Sequence, residues 1–356
     1  MSGIQEQSYN LVSGMAYQPT GRHLNHLLQL LAENATVVVP GPRIAEEIGV
    51  SGARVWQYVE RLRALGVDIK GRPSSGYHLE RLPDLLLPGL LRPELGGLAF
   101  GHRVVHYFKT VSTNTDALQL AASGAPHGTL VVAEQQTGGR GRFGRSWHSE
   151  YAAGIYASLI LRPALPPSAA PIMTLMAGVA VHQLLSEITQ LPFDIRWPND
   201  VLTGGKKVCG ILTELSADLD RIHAVVVGIG INVNHSSMPE ELRGIATSLS
   251  METHRTWPRI QLLGALMHEL ESLYGQTMSQ GNRVVLERWA AASSFARGRR
   301  VRVTENTVQR SGTTTGLDSN GALRVRFDDG VEQALISGEV VELKPDVPEP
   351  EPREVE

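Results

Sequence analysis

A stretch rich in Pro, Gly and Leu, residues 81–101, divides this chain more firmly than any other feature. Pro83, Pro88, Gly89, Pro93, Gly96 and Gly97 fall within it, among leucines. Proline removes an amide donor and glycine frees the backbone, so no long regular element runs through such a segment. We read it as a linker with some apolar docking, with a small head before it and a larger body after it. A second break lies near Gly298, where a helical pattern gives way to short alternating runs. A third covers residues 345–356, which hold four prolines and five acidic residues and too little apolar surface to order themselves. The expected layout is an N-terminal segment 1–19, a head 20–80, the linker 81–101, a body 102–297, a small β domain 298–344 and an acidic tail 345–356. With 356 residues the chain is long enough for two or three domains. It shows no internal repeat.

Composition narrows the classes. Apolar residues make up 42% of the chain and aromatics 5%, so its cores are mainly aliphatic. The net charge of -3 confines any nucleic-acid contact to a local patch. The single cysteine, Cys209, excludes a disulfide framework and a cysteine-rich zinc site, and fits a reducing cytoplasm. Apolar runs such as 222–231 are far shorter than the roughly 20 residues a spanning helix needs. The polar start, residues 1–18, lacks the basic and apolar blocks of a signal peptide. The expected location is the cytoplasm, away from any membrane.

The head begins with Leu24, Leu27, Leu28 and Leu31 at helical spacing. Further helices fit residues 43–48 and 51–65. Ala45, Gly49 and Val55 stand at helix-turn-helix spacing: a small residue at the crossing, a glycine for positive φ in the turn, and an apolar anchor, joined by Val59. Ser51 is an N-cap for the second helix of the pair. Residues 67–70 and 76–79 alternate around a Gly-Arg-Pro-Ser-Ser turn and read as a two-stranded wing. Arg54, Gln57 and Arg61 on that helix, with Ser51 at its start and Lys70 and Arg72 on the wing, are the candidate DNA contacts.

In the body, strands fit 103–108, 129–134, 154–161, 207–215 and 221–230, and helices fit 113–122, 170–189, 258–279 and 283–294. The class is α+β with a central mixed sheet. The last region holds only short strands, 300–304, 313–317, 322–327, 332–336 and 339–343, separated by turns such as Ser319-Asn320-Gly321. A small SH3-like β-barrel is the natural reading.

Residues 138–147, Gly-Gly-Arg-Gly-Arg-Phe-Gly-Arg-Ser-Trp, interleave four glycines with three arginines. One reading is a solvated basic loop. The other is an anion grip, in which glycines let amides approach phosphate oxygens and arginines add forked donors. Such a loop has little apolar content to hold it still and should order over its anion. It is not a Walker loop, as no Gly-Lys-Ser/Thr follows. Asn199 and Asp200, after Trp197-Pro198, suit a turn. Lys207 heads an apolar strand and is either a solvated edge residue or a cation projecting into a pocket. Ser112 or Thr113 caps a helix, or with Asn114 binds a small polar ring. Cys209 has no base nearby and reads as a buried small residue.

Taken in order, Ser112-Thr113-Asn114, Glu134-Gln135-Gln136, Gly139-Arg140-Gly141-Arg142, Trp197-Pro198-Asn199-Asp200, Lys207-Val208-Cys209-Gly210-Ile211-Leu212 and Gly228-Ile229-Gly230-Ile231-Asn232 resemble the biotin–protein ligase family. With the helix-turn-helix head the likeness covers nearly all of residues 20–343 and points to the bifunctional type, ligase and biotin operon repressor. The resemblance implies a class II synthetase-like ligase domain. It implies activation of biotin by MgATP to biotinyl-5′-AMP, then transfer to one lysine of a carboxylase carrier domain. By the same resemblance Ser112, Thr113, Asn114 and Gln136 line the biotin pocket. Arg140, Gly141 and Arg142 close over the adenylate, and Lys207 meets the biotin carboxylate and the phosphate. Asn199, Asp200 and Asn232 serve ATP, with Asp200 a possible magnesium contact, while Trp147, Gly210 and Leu212 form apolar walls. Expected partners are the carrier domain, operator DNA and, with adenylate bound, a second copy of the chain.

Two departures stand out. Arg196 replaces the lysine the family carries before Trp-Pro-Asn-Asp, keeping charge but not geometry. The head carries seven Lys/Arg and seven Asp/Glu over residues 1–80. Phosphate neutralisation supplies most non-specific DNA affinity, so a lone head is expected to bind weakly. Two other readings compete: a lipoate–protein ligase, and a non-catalytic winged-helix sensor of biotin or nucleotide.

Overall fold

The computed structural model describes residues 19–81, 84–218, 221–305 and 308–343. The N-terminal segment and the acidic tail lie, but for Pro19, outside the described residues. Those described divide into two compact units, residues 19–81 and residues 84–343.

The first unit packs α1 (Pro19–Glu33), α2 (Gly41–Ile48) and α3 (Gly52–Ala64) beside a hairpin of β1 (Ile69–Arg72) and β2 (Gly76–Leu79). Leu24, Leu27, Leu28 and Leu31 turn one stripe of α1 inward, against Ile44 and Ile48 of α2 and Val55, Val59 and Leu62 of α3. Gly49 ends α2 at φ 70°, the left-handed cap that glycine adopts without a Cβ clash. Ser51 Oγ accepts from the Arg54 amide at the start of α3. The first wing strand begins two residues later than the alternation predicts. The Val67 amide donates instead to the Leu62 carbonyl, prolonging the end of α3.

The second unit holds a seven-stranded sheet. A four-residue helix, α4 (Pro88–Leu91), precedes β3 (Arg103–Tyr107), α5 (Thr113–Ala122), β4 (Thr129–Ala133) and β5 (Gly154–Leu161). Then come α6 (Pro171–Thr189), β6 (Phe193–Arg196), β7 (Asp200–Thr203), β8 (Lys206–Ala217) and β9 (Ile222–Asn232). The strand order is β3-β4-β5-β9-β8-β7-β6; β3 and β4 are parallel and every other pairing is antiparallel. Side chains alternate across the sheet. Val131 and Ile160 meet Ala117 and Ala121 of α5 on one face. Leu130, Val132, Leu159 and Leu161 join a larger core with α6 and α8 (Arg259–Gln280) on the other. Between these lies a short helix, α7 (Leu249–Thr253); α9 (Arg283–Ala292) follows α8.

Two expectations change here. Residues 84–101 dock more deeply than their composition predicts: Leu86, Leu91, Leu95 and Phe100 belong to the main core of the second unit. The reading that found no spanning segment passed over residues 167–189. They are long and apolar enough to cross a membrane, with mean hydropathy 1.4, but 78% of that window is buried in this core.

The remaining strands, β10 (Arg300–Glu305), β11 (Val308–Leu317), β12 (Leu323–Phe327), β13 (Glu332–Leu335) and β14 (Glu339–Glu342), form an antiparallel sheet in the order β13-β12-β11-β10-β14. Val301, Val303, Val325 and Val340 extend the same core. The Trp197 indole N–H donates to the Gly321 carbonyl at 3.0 Å, tying the end of β6 to this second sheet.

Candidate active site

Two adjoining cavities open above the β5-β9-β8-β7 part of the sheet. Ser112, Thr113, Asn114, Gln136, Arg140, Gly210 and Leu212 all border the smaller one. Arg142, Asp200 and Asn232 border the larger one, of about 210 Å³. Gly141, Trp147, Asn199 and Lys207 border both. The fold therefore gathers every candidate biotin, adenylate and ATP residue into one cleft, with Lys207 as the single ionic side chain common to its two halves.

The polar end is a closed network. Ser112 sits at the N-cap position of α5 but its side chain makes no capping bond, so the plain capping reading fails for it. The Thr113 amide and hydroxyl both donate to Gln136 Oε1, at 2.9 and 3.1 Å. Asn114 Nδ2 donates to the Leu212 carbonyl at 3.0 Å and to Glu214 Oε2 at 2.8 Å. Ser158 on β5 stands 2.6 Å from Asn114 Oδ1 and 2.8 Å from Thr113 Oγ1. Ser158 and Glu214 escaped the sequence reading. The signal for Ser158 was a polar residue within the wholly buried β5; Glu214 stands among other polar residues of β8 and offered none.

The flat centre of the cleft is made by glycines. A Cβ on Gly210 would lie 2.7 Å from the Trp147 ring, and one on Gly230 would lie 2.5 Å from it. Gly228 likewise leaves room for Asn114, 2.1 Å from where its Cβ would be. The indole fills the slot so well that about 40 Å³ remains in the smaller cavity, room for roughly three waters. Trp147 Nε1 is buried without a partner, and Lys207 Nζ lies 5.3 Å from the centre of the ring.

The glycine–arginine loop is more built than its composition predicts. The Trp147 amide donates to the Gly139 carbonyl at 2.8 Å and the Gly141 amide to the Arg145 carbonyl at 2.7 Å, so it is a small hairpin around a turn at Arg142–Gly144. Its arginines are engaged. Arg140 pairs with Glu214 at 3.2 Å, Arg142 donates to the Gly338 carbonyl at 3.2 Å, and Arg145 pairs with Glu339 at 2.5 Å. The loop thus docks on the start of β14, a contact with distant sequence that local pattern cannot reveal.

Trp197, Pro198 and Asn199 form the turn between β6 and β7, and Asp200 opens β7 rather than sitting in the turn. Arg196 and Asp200 face each other in register; Arg196 Nη2 donates to Asp200 Oδ2 at 2.6 Å. Lys207 Nζ stands 2.5 Å from the other carboxylate oxygen. Burial pushes the Asp200 carboxyl up, but Lys207 and Arg196 outweigh it and hold it below the usual carboxylate range. Asn199 Nδ2 donates to the Ile211 carbonyl and Asn232 Nδ2 to the Thr247 carbonyl. Cys209, adjacent in the sheet, is fully buried and its thiol is pushed up by burial, in keeping with an inert packing residue.

In the first unit, Arg54, Gln57 and Arg61 are exposed on α3, and Lys70 and Arg72 are exposed on β1. Val55, Tyr58, Val59 and Leu62 take the opposite, buried face of α3. Arg63 is committed elsewhere: it donates to the Ile69 and Gly71 carbonyls and so braces the wing.

The comparisons with known proteins follow the same division. Residues 107–232 match the model of the Biotin/lipoate A/B protein ligase family. Residues 23–78 match an HTH domain, and residues 297–341 the Biotin protein ligase C terminal domain. A Bacillus subtilis (strain 168) protein named bifunctional ligase/repressor BirA is 36% identical over 310 residues, 86% of this chain and 95% of its own length. A Mycobacterium tuberculosis protein named biotin--[acetyl-CoA-carboxylase] ligase is 35% identical over 265 residues, 71% of this chain and 94% of its own. Among solved structures, a biotin protein ligase from Aquifex aeolicus in complex with biotin and ATP superposes with a TM-score of 0.58 at 30% identity. It covers 67% of this chain and 98% of its own.

Proposed function

This chain belongs to the biotin protein ligase family, and from that premise we propose that it joins biotin to ATP, giving biotinyl-5′-AMP and pyrophosphate, and passes the biotinyl group to one lysine of a carboxylase carrier domain. The observation that carries this reading is the position of Lys207, the one ionic side chain on both halves of the cleft. A carboxylate arriving from the polar half and a phosphate from the other half are both anions. A fixed cation between them offsets their repulsion at the point of attack. Holding the two in line supplies on the order of 7–11 kcal/mol toward the barrier.

The residues present fit both substrates. Ser112, Thr113, Asn114 and Gln136 offer the donors and acceptors a ureido ring requires. The Gly210–Gly230 slot accepts a flat apolar body once the Trp147 indole, whose N–H is unsatisfied, moves aside. Arg140 and Arg142 reach phosphate by exchanging Glu214 and the Gly338 carbonyl for stronger anionic partners. Asn199 and Asn232 border the nucleotide half, each fixed by its Nδ2 bond to a backbone carbonyl. Of the carboxylates bordering that half, Asp200 and Glu339, Asp200 would hold a magnesium ion accompanying ATP, and the ion would neutralise phosphate charge.

The helix-turn-helix unit supports a second role, as a DNA-binding repressor of biotin genes with the adenylate as corepressor. Its few free cations favour action as a homodimer, which doubles the phosphate contacts. The ligase reading is tested by mixing the protein with MgATP and either biotin or lipoate and identifying the adenylate by mass. Biotinyl-5′-AMP is expected; a lipoyl adenylate alone, or none, contradicts the reading.

A further inference from the structure

Just after Trp147, the chain runs toward the segment that follows β9, with His148 on the wall of the larger cavity. His148 and Glu150 there meet His235, and one ligand atom from each of the three lies within 4.8 Å of the others. The two imidazole rings are 5.8 Å apart between centroids and inclined by 52°. We propose that His148, Glu150 and His235 form a binding site for one transition-metal dication of the zinc class.

The hydrogen-bond pattern around His235 is the main support. The Tyr156 hydroxyl donates its single proton to the Glu150 backbone carbonyl at 2.9 Å. Its oxygen is then left to accept from His235 Nε2, 3.3 Å away. That fixes the neutral tautomer with a lone pair on Nδ1. The His235 side chain is fully buried, and Nδ1 has no hydrogen-bond partner. A neutral imidazole whose far nitrogen is held by an outer partner is the form in which histidine ligates metals. The nearby Arg259 guanidinium does not bar a dication, because Glu134 and Asp84 already pair with it.

Two imidazoles and a carboxylate favour zinc, nickel or copper over magnesium. Metal–ligand bonds of about 2.0–2.2 Å require the three ligand atoms to close up slightly, which Glu150, being exposed, can do by rotation. The site would fasten the trailing end of the glycine–arginine hairpin to the chain beyond Asn232.

The test uses the full chain, stripped with a chelator and titrated with Co2+ while visible d–d absorption is read, then with Zn2+ in excess Mg2+. One Co2+ per chain is expected, displaced by Zn2+ and unaffected by Mg2+. His148→Ala and Glu150→Gln, both at partly open positions where folding is not at risk, should each weaken binding at least tenfold. Absence of d–d bands, or equal affinity within twofold in either variant, overturns the proposal.

Discussion

Gly210 and Gly230 stand directly opposite each other in register across β8 and β9, and together they leave the space into which the Trp147 indole fits against the strands. Neither has a positive φ, so the need for glycine here is spatial and not conformational. Gly230→Ala should leave the fold intact and narrow the slot. Since one methylene in a complementary site alters discrimination by about 10- to 200-fold, biotin affinity should fall within that range. Equilibrium binding of biotin alone reads this directly, and unchanged affinity would remove the slot from the biotin site.

Lys207→Met removes the cation shared by the two halves while keeping an apolar stem. Asp200 retains Arg196 at 2.6 Å, so the protein should still fold. The rate of adenylate formation in a single turnover should drop by about 100- to 1000-fold, the effect of losing one preorganised charge-stabilising group, and biotin affinity should drop far less. Lost biotin affinity with the saturated rate unchanged would mean that Lys207 only contributes binding common to the ground and transition states.

Arg142→Ala should speed release of preformed adenylate by roughly tenfold, the scale of one charge-assisted hydrogen bond. Arg145→Ala, on the same cavity wall, loses a largely exposed pair with Glu339, worth little in water, and should change release by less than Arg142→Ala does. A chase with unlabelled ligand measures both. Equal release from the Arg142 variant and the native protein would deny this side chain its grip on the phosphate.

Glu134 links acidity to stability. It is fully buried, and it accepts from the Leu86 amide, His106 and Arg259. Burial raises its carboxyl, but the His106 hydrogen bond and the Arg259 charge prevail and hold it below the ordinary value near 4.5. The folded state therefore binds this proton less readily than the unfolded chain does. The contribution of Glu134 is complete above about pH 4.5 and declines as pH falls through its folded value. Glu134→Gln leaves Arg259 with Asp84 as its remaining carboxylate partner and should destabilise the fold at neutral pH, by less than the roughly 3–5 kcal/mol of a wholly uncompensated buried charge, with a flatter acid limb in a chemical unfolding series. A variant as stable as the native protein would show that this buried pair contributes nothing.

Local pattern carried much of this. The ends of β5 and α5 and the polarity of Ser51, Gly49 and the leucine stripe of α1 are all fixed by neighbours a few residues away, and the sequence displays them. The hairpin of β6 and β7 was missed because its strands are four residues long and interrupted by Pro198. The partners of the arginines were illegible for a different reason. Glu214, Gly338 and Glu339 meet the loop across separations of 74 to 196 residues, and nothing in a local window encodes them. The role of Arg196 emerged only once β6 and β7 set it opposite Asp200.

The head makes its own prediction. Its exposed cations are few, so DNA affinity should be weak for a monomer and should fall as salt rises, with a slope of about -0.9 per neutralised phosphate. Arg61→Ala should flatten that slope by about one unit, and adding biotin with MgATP should steepen it if the adenylate drives pairing of two chains. A gel-shift series across salt, with and without the substrates, decides it. Identical slopes in all conditions would separate this unit from operator binding.

The central claim is that one cleft, organised around Lys207, biotinylates a carrier lysine. Incubating the protein with MgATP, a carboxylase carrier domain and an equal mixture of biotin and lipoate, then weighing the intact carrier, tests it most directly. The account predicts a gain of one biotinyl group, abolished when the carrier lysine is changed to arginine. A lipoyl gain alone, or an unmodified carrier, would contradict it.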